Sequence, residues 1–374
     1  MLHYAVVTLI NTLETLIAFP TVTGHRAATD ALMLWVCEQL RDVPVYVRQY
    51  EHNDLPSLVI TPSRRKRVTV WLAAHVDVVA APPELFAARR ERGLLIGRGA
   101  IDMKCALACY IQLLQELGES FRDYDIGLML TPDEEWGSDS SVRYLLEEQG
   151  FTGNVVFLPD GYGSWKFEEK AKGILGLRFE TTGVAAHGSK PWYGRSAIEE
   201  CARLATAFTD AVHVRFARAD DETHWYTTAN IGTMHGGDTF NVVAPHATAT
   251  VDVRYVRKSE RTALLALAKK LERAYGHTTH TITHDEAPYG IVRKNGHARA
   301  FARIAQSLYG IECGWVRSHG SSDARFFNRA GVPTLLIGPT GGESHGDHEW
   351  IDIADLERYY AVLRAWINEV ARTT

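Results

Sequence analysis

The chain is poor in the features that most readily announce a protein class. Its five cysteines (Cys37, Cys105, Cys109, Cys201, Cys313) are odd in number and scattered, and none forms a CxxC pair. That excludes a disulfide framework and a thiolate metal site, and it points to a reducing, cytoplasmic setting. No apolar run approaches the ~18 residues that a membrane span requires, so no membrane partner is expected. Positive charge is not in excess either: 40 Lys and Arg stand against 45 Asp and Glu, a formal net charge of −5. Nucleic acid is therefore not an expected partner, and the one basic run, residues 64–67, reads as a solvated hairpin tip. The opening stretch MLHYAVVTLINTLETLIAF lacks a basic leader, and Asn11, Thr12 and Glu14 interrupt its apolar residues. It reads as an amphipathic helix rather than a signal peptide.

What is present is an α/β rhythm. The 374 residues, 46% of them hydrophobic, suffice for a large core and about two domains. Helical spacing covers Leu2–Phe19 and Ala27–Leu40, followed by extended runs at Val45–Tyr50, Leu58–Thr61 and Arg67–Ala74. A helix at Lys104–Leu117, a strand at Ile126–Thr131, a helix at Ser140–Gln149 and a strand at Val155–Leu158 continue the pattern. This alternation predicts a mixed sheet flanked by helices. Residues 173–285 then change rhythm, with strands at Gly173–Thr182, Trp225–Met234, Asn241–Val256 and Thr278–His284 and helices at Gly194–Val212 and Glu260–Tyr275. The order β-α-β-β-α-β is that of a ferredoxin-like unit, complete in itself and therefore expected as an insertion. Alternation resumes at Ala298–Leu308, Glu312–Val316, Asp323–Arg329, Thr334–Ile337 and Ile353–Val370. Residues 1–172 and 286–374 are thus expected to build one discontinuous domain. There is no internal repeat and no low-complexity segment.

Acids and histidines recur where strands should end, which is where open α/β sheets place their sites. His75-Val76-Asp77 closes the run VTVWLAA, and residues i and i+2 of a strand share a face. Gly97-Arg98-Gly99-Ala100-Ile101-Asp102-Met103-Lys104 is a glycine turn that sets Asp102 at the mouth of a helix, as a cap or as a ligand. Asp133-Glu134-Glu135 follows a buried strand, which draws the three acids toward the edge of the core. Pro159-Asp160-Gly161 ends another strand, and alone it reads equally as a turn. His345, Asp347, His348 and Glu349 follow the strand TLLIGP. Imidazole nitrogen and carboxylate oxygen together suit zinc, and a shared carboxylate is what holds two ions side by side.

In order and spacing these motifs resemble the co-catalytic zinc amidohydrolases and peptidases that include succinyl-diaminopimelate desuccinylase, acetylornithine deacetylase, aminoacylase and the glutamate carboxypeptidases. The family's HxD is His75–Asp77, its GRGxxDMK is Gly97–Lys104, and its DEE is Asp133–Glu135. Its GxxxH is Gly183–His187 and its closing HxxxE is His345–Glu349, so the resemblance covers nearly the whole chain. It implies two Zn2+ ions, with Co2+ or Mn2+ able to substitute. Asp102 would bridge them, His75 and Asp160 completing one and Glu135 and His345 the other, while His348 falls outside the HxxxE spacing. It further implies Glu134 as general base, Asp77 as the residue that steers His75, and a homodimer through the inserted lid. In that dimer His187 would reach the partner subunit's active site and stabilise an oxyanion.

The same resemblance suggests a substrate. Asn241 and Arg254 match lid positions that contact substrate in related desuccinylases. Arg325 lies in Ser322-Asp323-Ala324-Arg325, similar to a desuccinylase SDxR stretch, and is expected to clamp a substrate carboxylate. The implied reaction is hydrolysis of the amide bond of a small N-acyl amino acid. Asp160 stands where desuccinylases and deacetylases carry Glu, whereas dipeptidase and aminoacylase branches carry Asp. A dipeptidase or carboxypeptidase therefore remains the alternative. Lys172 offers a further cation beside Gly173. Of His277, His280 and His284, only the last two share a strand face, which predicts a solvated edge strand.

Overall fold

The run from Val68 to His75 has too few polar residues to alternate, and such a run belongs inside a sheet covered on both faces. The structure, a computed structural model, describes residues 2–160, 163–218 and 223–373, with side chains from residue 9 onward; Gly161 of the Pro159–Gly161 motif lies outside them. Strand Arg67–His75 runs parallel to Ile126–Thr131 on one side and to Thr152–Phe157 on the other. The full order is Tyr46–His52, Leu55–Thr61, Ile126–Thr131, Arg67–His75, Thr152–Phe157, Thr334–Leu335, with the first two pairings antiparallel. The sheet is therefore mixed. Trp71 fills its centre and donates its indole N–H to the Thr152 carbonyl at 2.8 Å. Gly127 and Gly153 on the flanking strands make room for it, since a Cβ there would lie 2.4 and 2.8 Å from the ring. Helix Lys104–Leu117 is buried from Lys104 through Leu114, and Phe157 packs against Phe301, Tyr359 and Trp366 of two later helices.

The chain divides into two compact units. One comprises Met1–Glu169, Gly290–Ser318 and Ser322–Thr374; the other comprises Lys170–Tyr289 with His319–Ser321. In the second, an antiparallel sheet has the order Thr228–Gly236, His246–Tyr255, Gly173–Thr182, Thr278–Glu286. Its strands alternate: Leu175, Leu177 and Phe179 are buried while Arg178 and Glu180 are exposed. The buried face packs on Leu204, Phe208 and Val212 of helix Ala197–Phe216 and on Leu264 and Ala268 of helix Lys258–Tyr275. Among the described residues no helix is long and apolar enough to cross a membrane.

The structure differs from the sequence pattern in several places, a strand at Lys166–Ala171 among them. The helix expected over Ser140–Gln149 is reduced to a single π-type turn, Tyr144–Glu148. The Ser140 amide and the Ser141 hydroxyl are instead taken up by the Asp133 carboxylate. A four-stranded sheet of Gly341–Gly342, Trp350–Asp352, Leu94–Ile96 and Arg89–Glu91 was not anticipated, because strands of two or three residues carry no readable period.

Candidate metal centre

Strand register assembles the site. His75 is the last residue of its strand and pairs with Thr131, so His75–Asp77 and Asp133–Glu135 leave the sheet side by side. Asp160 follows the neighbouring strand Thr152–Phe157 after two residues. The Asp77 carboxylate, fully buried, grips the acidic turn by its main chain: Oδ1 accepts from the Glu134 amide and Oδ2 from the Glu135 amide, both at 3.2 Å. Oδ2 also accepts the Thr23 hydroxyl at 2.9 Å. His75 Nδ1 lies 3.0 Å from the Asp77 main-chain carbonyl, with the Asp77 carboxylate farther off at 3.5 Å. A carbonyl only accepts, so Nδ1 carries the hydrogen and Nε2 keeps its lone pair for the site.

Asp102 stands between the two histidines. Its Oδ1 lies 3.0 Å from His75 Nε2 and its Oδ2 3.2 Å from His345 Nε2. His345 Nε2 is also 3.1 Å from Glu135 Oε1. Among the described residues, two triads have ligand atoms within 4.8 Å of one another: His75, Glu134, Asp160, and Asp102, Glu135, His345. Glu134 thus lies with the His75 group and Glu135 with the His345 group. His348 is exposed and belongs to neither.

The electrostatics are those of a site built for positive charge. Burial works against the His75 imidazolium, but Asp102 and Asp77 outweigh it and hold the ring well above its ordinary range. Hydrogen bonds to Asp102 and Glu135 raise His345 to about 10. Burial disfavours the Asp102 carboxylate, yet His345 and His75 hold it below the usual range. Glu134 and Asp160 are pushed well up, first by burial and then by neighbouring carboxylates, Asp160 acting on Glu134 and Asp102 on Asp160. Asp160 Oδ2 is buried and has no hydrogen-bond partner among the described residues. Crowded acids and an orphaned oxygen call for a proton or a cation, and with two imidazole nitrogens converging on the same carboxylates this donor set fits divalent metal ions.

Three supporting residues had no role in the sequence reading. Glu349 accepts from the main chain of residues 99–102, and Arg98 pairs with it at 2.8 Å. Lys104 is buried and donates to the Leu16 and Phe19 carbonyls at 2.9 and 2.7 Å; burial pushes its amine down to about 7 against Glu349 and Asp77. All three lie within motifs, but their partners are distant in sequence.

Other expected residues lie elsewhere. Arg325 does not present a free fork: it is buried, with Nη1 donating to Ser322 O at 2.8 Å and Nη2 to Gly137 O at 2.6 Å. Its guanidinium ties the turn after Glu134–Trp136 to the Ser322 turn. In the second unit, His187 and Asn241 are exposed neighbours, joined by the His187–Val242 bridge and by the Gly188 amide on the Asn241 carbonyl at 2.7 Å. His187 Nδ1 accepts from the Ser189 amide at 3.1 Å. Arg254 pairs with Ile174, eight residues along the strand from His246, which pairs with Thr182 at the end near His187. At ~3.3 Å per residue that is about 26 Å along the strand, so Arg254 stands at the end of this sheet away from His187. Its Nε donates to both Asp252 oxygens at 3.0 Å. His280 is taken up by Glu272 at 2.6 Å.

Sequence comparison matches residues 71–369 to the peptidase family M20/M25/M40. The chain belongs to that family. The enzyme is 26% identical to a probable carboxypeptidase of Paracoccidioides brasiliensis, over 96% of this chain and 86% of the relative. It is also 26% identical to a succinyl-diaminopimelate desuccinylase of Delftia acidovorans, over 96% and 97%. Its fold is similar to that of a tripeptidase from Staphylococcus aureus (TM-score 0.79, 20% identity, 97% and 99% covered). Human carnosine dipeptidase 1 is also similar (TM-score 0.75, 15% identity, 99% and 97% covered). Family membership makes the chain a hydrolytic metalloenzyme, an amidohydrolase that binds divalent metal.

Proposed function

We propose that the enzyme binds two divalent ions, zinc foremost, and hydrolyses the amide bond of a small N-acyl amino acid. The observation that carries this is Asp102, with one carboxylate oxygen toward His75 and the other toward His345. In this reading Asp102 would serve both ions, His75 and Asp160 would hold one, and Glu135 and His345 would hold the other. Ions bound there acidify a water and polarise an amide carbonyl. Glu134, next to His75 and Asp160, accepts the water's proton at its carboxylate and delivers it to the departing amine. Asp77 fixes Glu134 through its amide and His75 through its tautomer. The alternative, a dipeptidase or carboxypeptidase, is favoured by the short Asp160 side chain and by the relative named a probable carboxypeptidase. The test is metal analysis, then turnover of the zinc-loaded enzyme on N-acetyl and N-succinyl amino acids and on dipeptides. Turnover of dipeptides alone would select the alternative, and fewer than two ions per chain would overturn the dinuclear reading.

The Lys170–Tyr289 unit is proposed as a ferredoxin-like lid through which two copies pair, so that His187 serves the partner's centre. Supporting this, Trp192, Tyr193 and Phe240 are 71%, 73% and 101% exposed near His187, an apolar surface of the kind that marks interfaces. Phe240→Asp should convert the dimer to a monomer in sedimentation, and His187→Ala should lower kcat about 10²–10³-fold with metal content unchanged. A fully active monomer would sink this assignment.

A further inference from the structure

Glu349 closes the HxxxE motif, yet it belongs to neither candidate ligand triad. Its buried carboxylate instead collects four donors. Oε2 accepts from the Gly99 amide at 2.9 Å and Arg98 Nη1 at 2.8 Å; Oε1 accepts from the Ile101 amide at 3.0 Å and the Asp102 amide at 3.1 Å. Arg98, itself 2% exposed, donates Nη2 to the Gly346 carbonyl at 3.1 Å, one residue beyond His345. His345 has a φ of +65°, a left-handed conformation that a non-glycine residue keeps only where its surroundings enforce it. The Trp350–Ile96 pairing and the Gly97 amide on the Glu349 carbonyl stitch the same two segments together. One buried carboxylate therefore holds the loop of Asp102 directly and the loop of His345 through Arg98.

An ion that uses Asp102 and His345 together needs them at a fixed separation, here 3.2 Å from Oδ2 to Nε2. We infer that the Glu349–Arg98 pair is the positioning device that fixes this separation and so presets the ion site of Asp102, Glu135 and His345. Only a carboxylate does this work. A glutamine of the same length accepts on one side and turns its NH2 toward donors on the other, so half the grip becomes a donor-to-donor clash. The inference rests on the ligand assignment proposed above.

The experiment titrates metal-free protein with Zn2+ by calorimetry, following two binding steps. His345→Ala should abolish the step to which it contributes. Glu349→Gln should weaken that same step by about 10–100-fold, the usual cost of losing an outer partner of a metal ligand. It should lower the metal-free melting temperature, since buried donors lose their acceptor, but it should leave the other step unchanged and add nothing to the metal-binding loss in the His345→Ala background. Arg98→Lys, which keeps the charge beside Glu349 but cannot also reach Gly346, should weaken the same step; it serves as the deciding variant if Glu349→Gln does not fold. Equal weakening of both steps, or no change in either, would overturn the inference. If His345→Ala loses a step and neither Glu349→Gln nor Arg98→Lys moves it, the positioning role alone is wrong. If His345→Ala leaves both steps intact, the ligand assignment falls and takes this inference with it.

Discussion

The two units of this enzyme bury different things. The first buries charge: His75, Asp77, Arg98, Lys104, Asp133, Asp160, Asp323 and Glu349 are all buried or nearly so. The second buries Leu175, Leu177, Phe179, Leu204, Phe208, Val251 and Val253, and among the described residues its buried charged side chains are Lys172 and Glu272. Burying carboxylates is costly unless positive charge compensates, so the first unit's order depends on what it binds. The second is stabilised by apolar area and needs no ligand, and its candidate functional residues, His187 and Asn241, stand at its surface.

The largest effect expected is on rate, and it lies within a single dipeptide. Glu134→Gln should lower kcat about 10²–10⁴-fold while both ions stay bound, because a base is lost and no ligand is. Glu135→Gln should instead lose affinity for the ion near His345. Metal stoichiometry and turnover of the two variants decide the matter, and the reversed pattern would exchange their roles. Amide exchange in the Lys170–Tyr289 unit should be unaffected by either change.

Phe179→Ala does the converse. Phe179 is fully buried against Phe208, ring centroids 5.6 Å apart, so truncation should cost about 3–5 kcal/mol through lost burial and an unfilled cavity. Hydrogen exchange should quicken in the second unit, and Zn2+ binding should be untouched. If metal affinity fell too, the two regions would not be the separable bodies described.

Chelation sharpens the contrast from the other side. Removing ions present at about 100 times their dissociation constant withdraws about 2.7 kcal/mol of stabilisation, all of it from the unit that holds them. Exchange should therefore rise around His75, Asp102 and Asp160 and stay constant across Leu175–Phe179. Uniform destabilisation would show that the second unit also depends on metal.

Much of the centre was legible because a strand's end is a local property. His75, Asp133–Glu135 and Asp160 each follow a hydrophobic run, and parallel pairing brings such ends together. What stayed hidden depends on register and distance. Glu349 meets Asp102 across 247 residues, through strands too short to show a period. The antiparallel register that carries Arg254 to the end of its sheet away from His187 is likewise not a local property. Nor does sequence reveal which carbonyls the Arg325 guanidinium finds.

The smallest effect concerns Glu272, the one buried acid among the second unit's described residues, and it tests whether any of that unit's stability is electrostatic. Glu272 accepts the His280 amide at 2.6 Å, faces His280 Nδ1 at 2.6 Å and pairs with Lys269 at 2.7 Å. Burial disfavours its carboxylate, but Lys269 and His280 outweigh this and hold its pKa below the ordinary value. A group depressed on folding contributes stability above its unfolded pKa, about 4.3 for Glu, and loses it as pH falls through the lower folded value. Glu272→Gln should therefore cost about 1 kcal/mol at neutral pH, and the gap to wild type should close on acidification below about pH 4.3. Exchange in helix Lys258–Tyr275 and strand Thr278–Glu286, followed against pH in both proteins, isolates this group, because the acid lability of the metal centre is common to the two. A gap that widens on acidification would reverse the sign, and no gap at any pH would leave the second unit held by its apolar core alone.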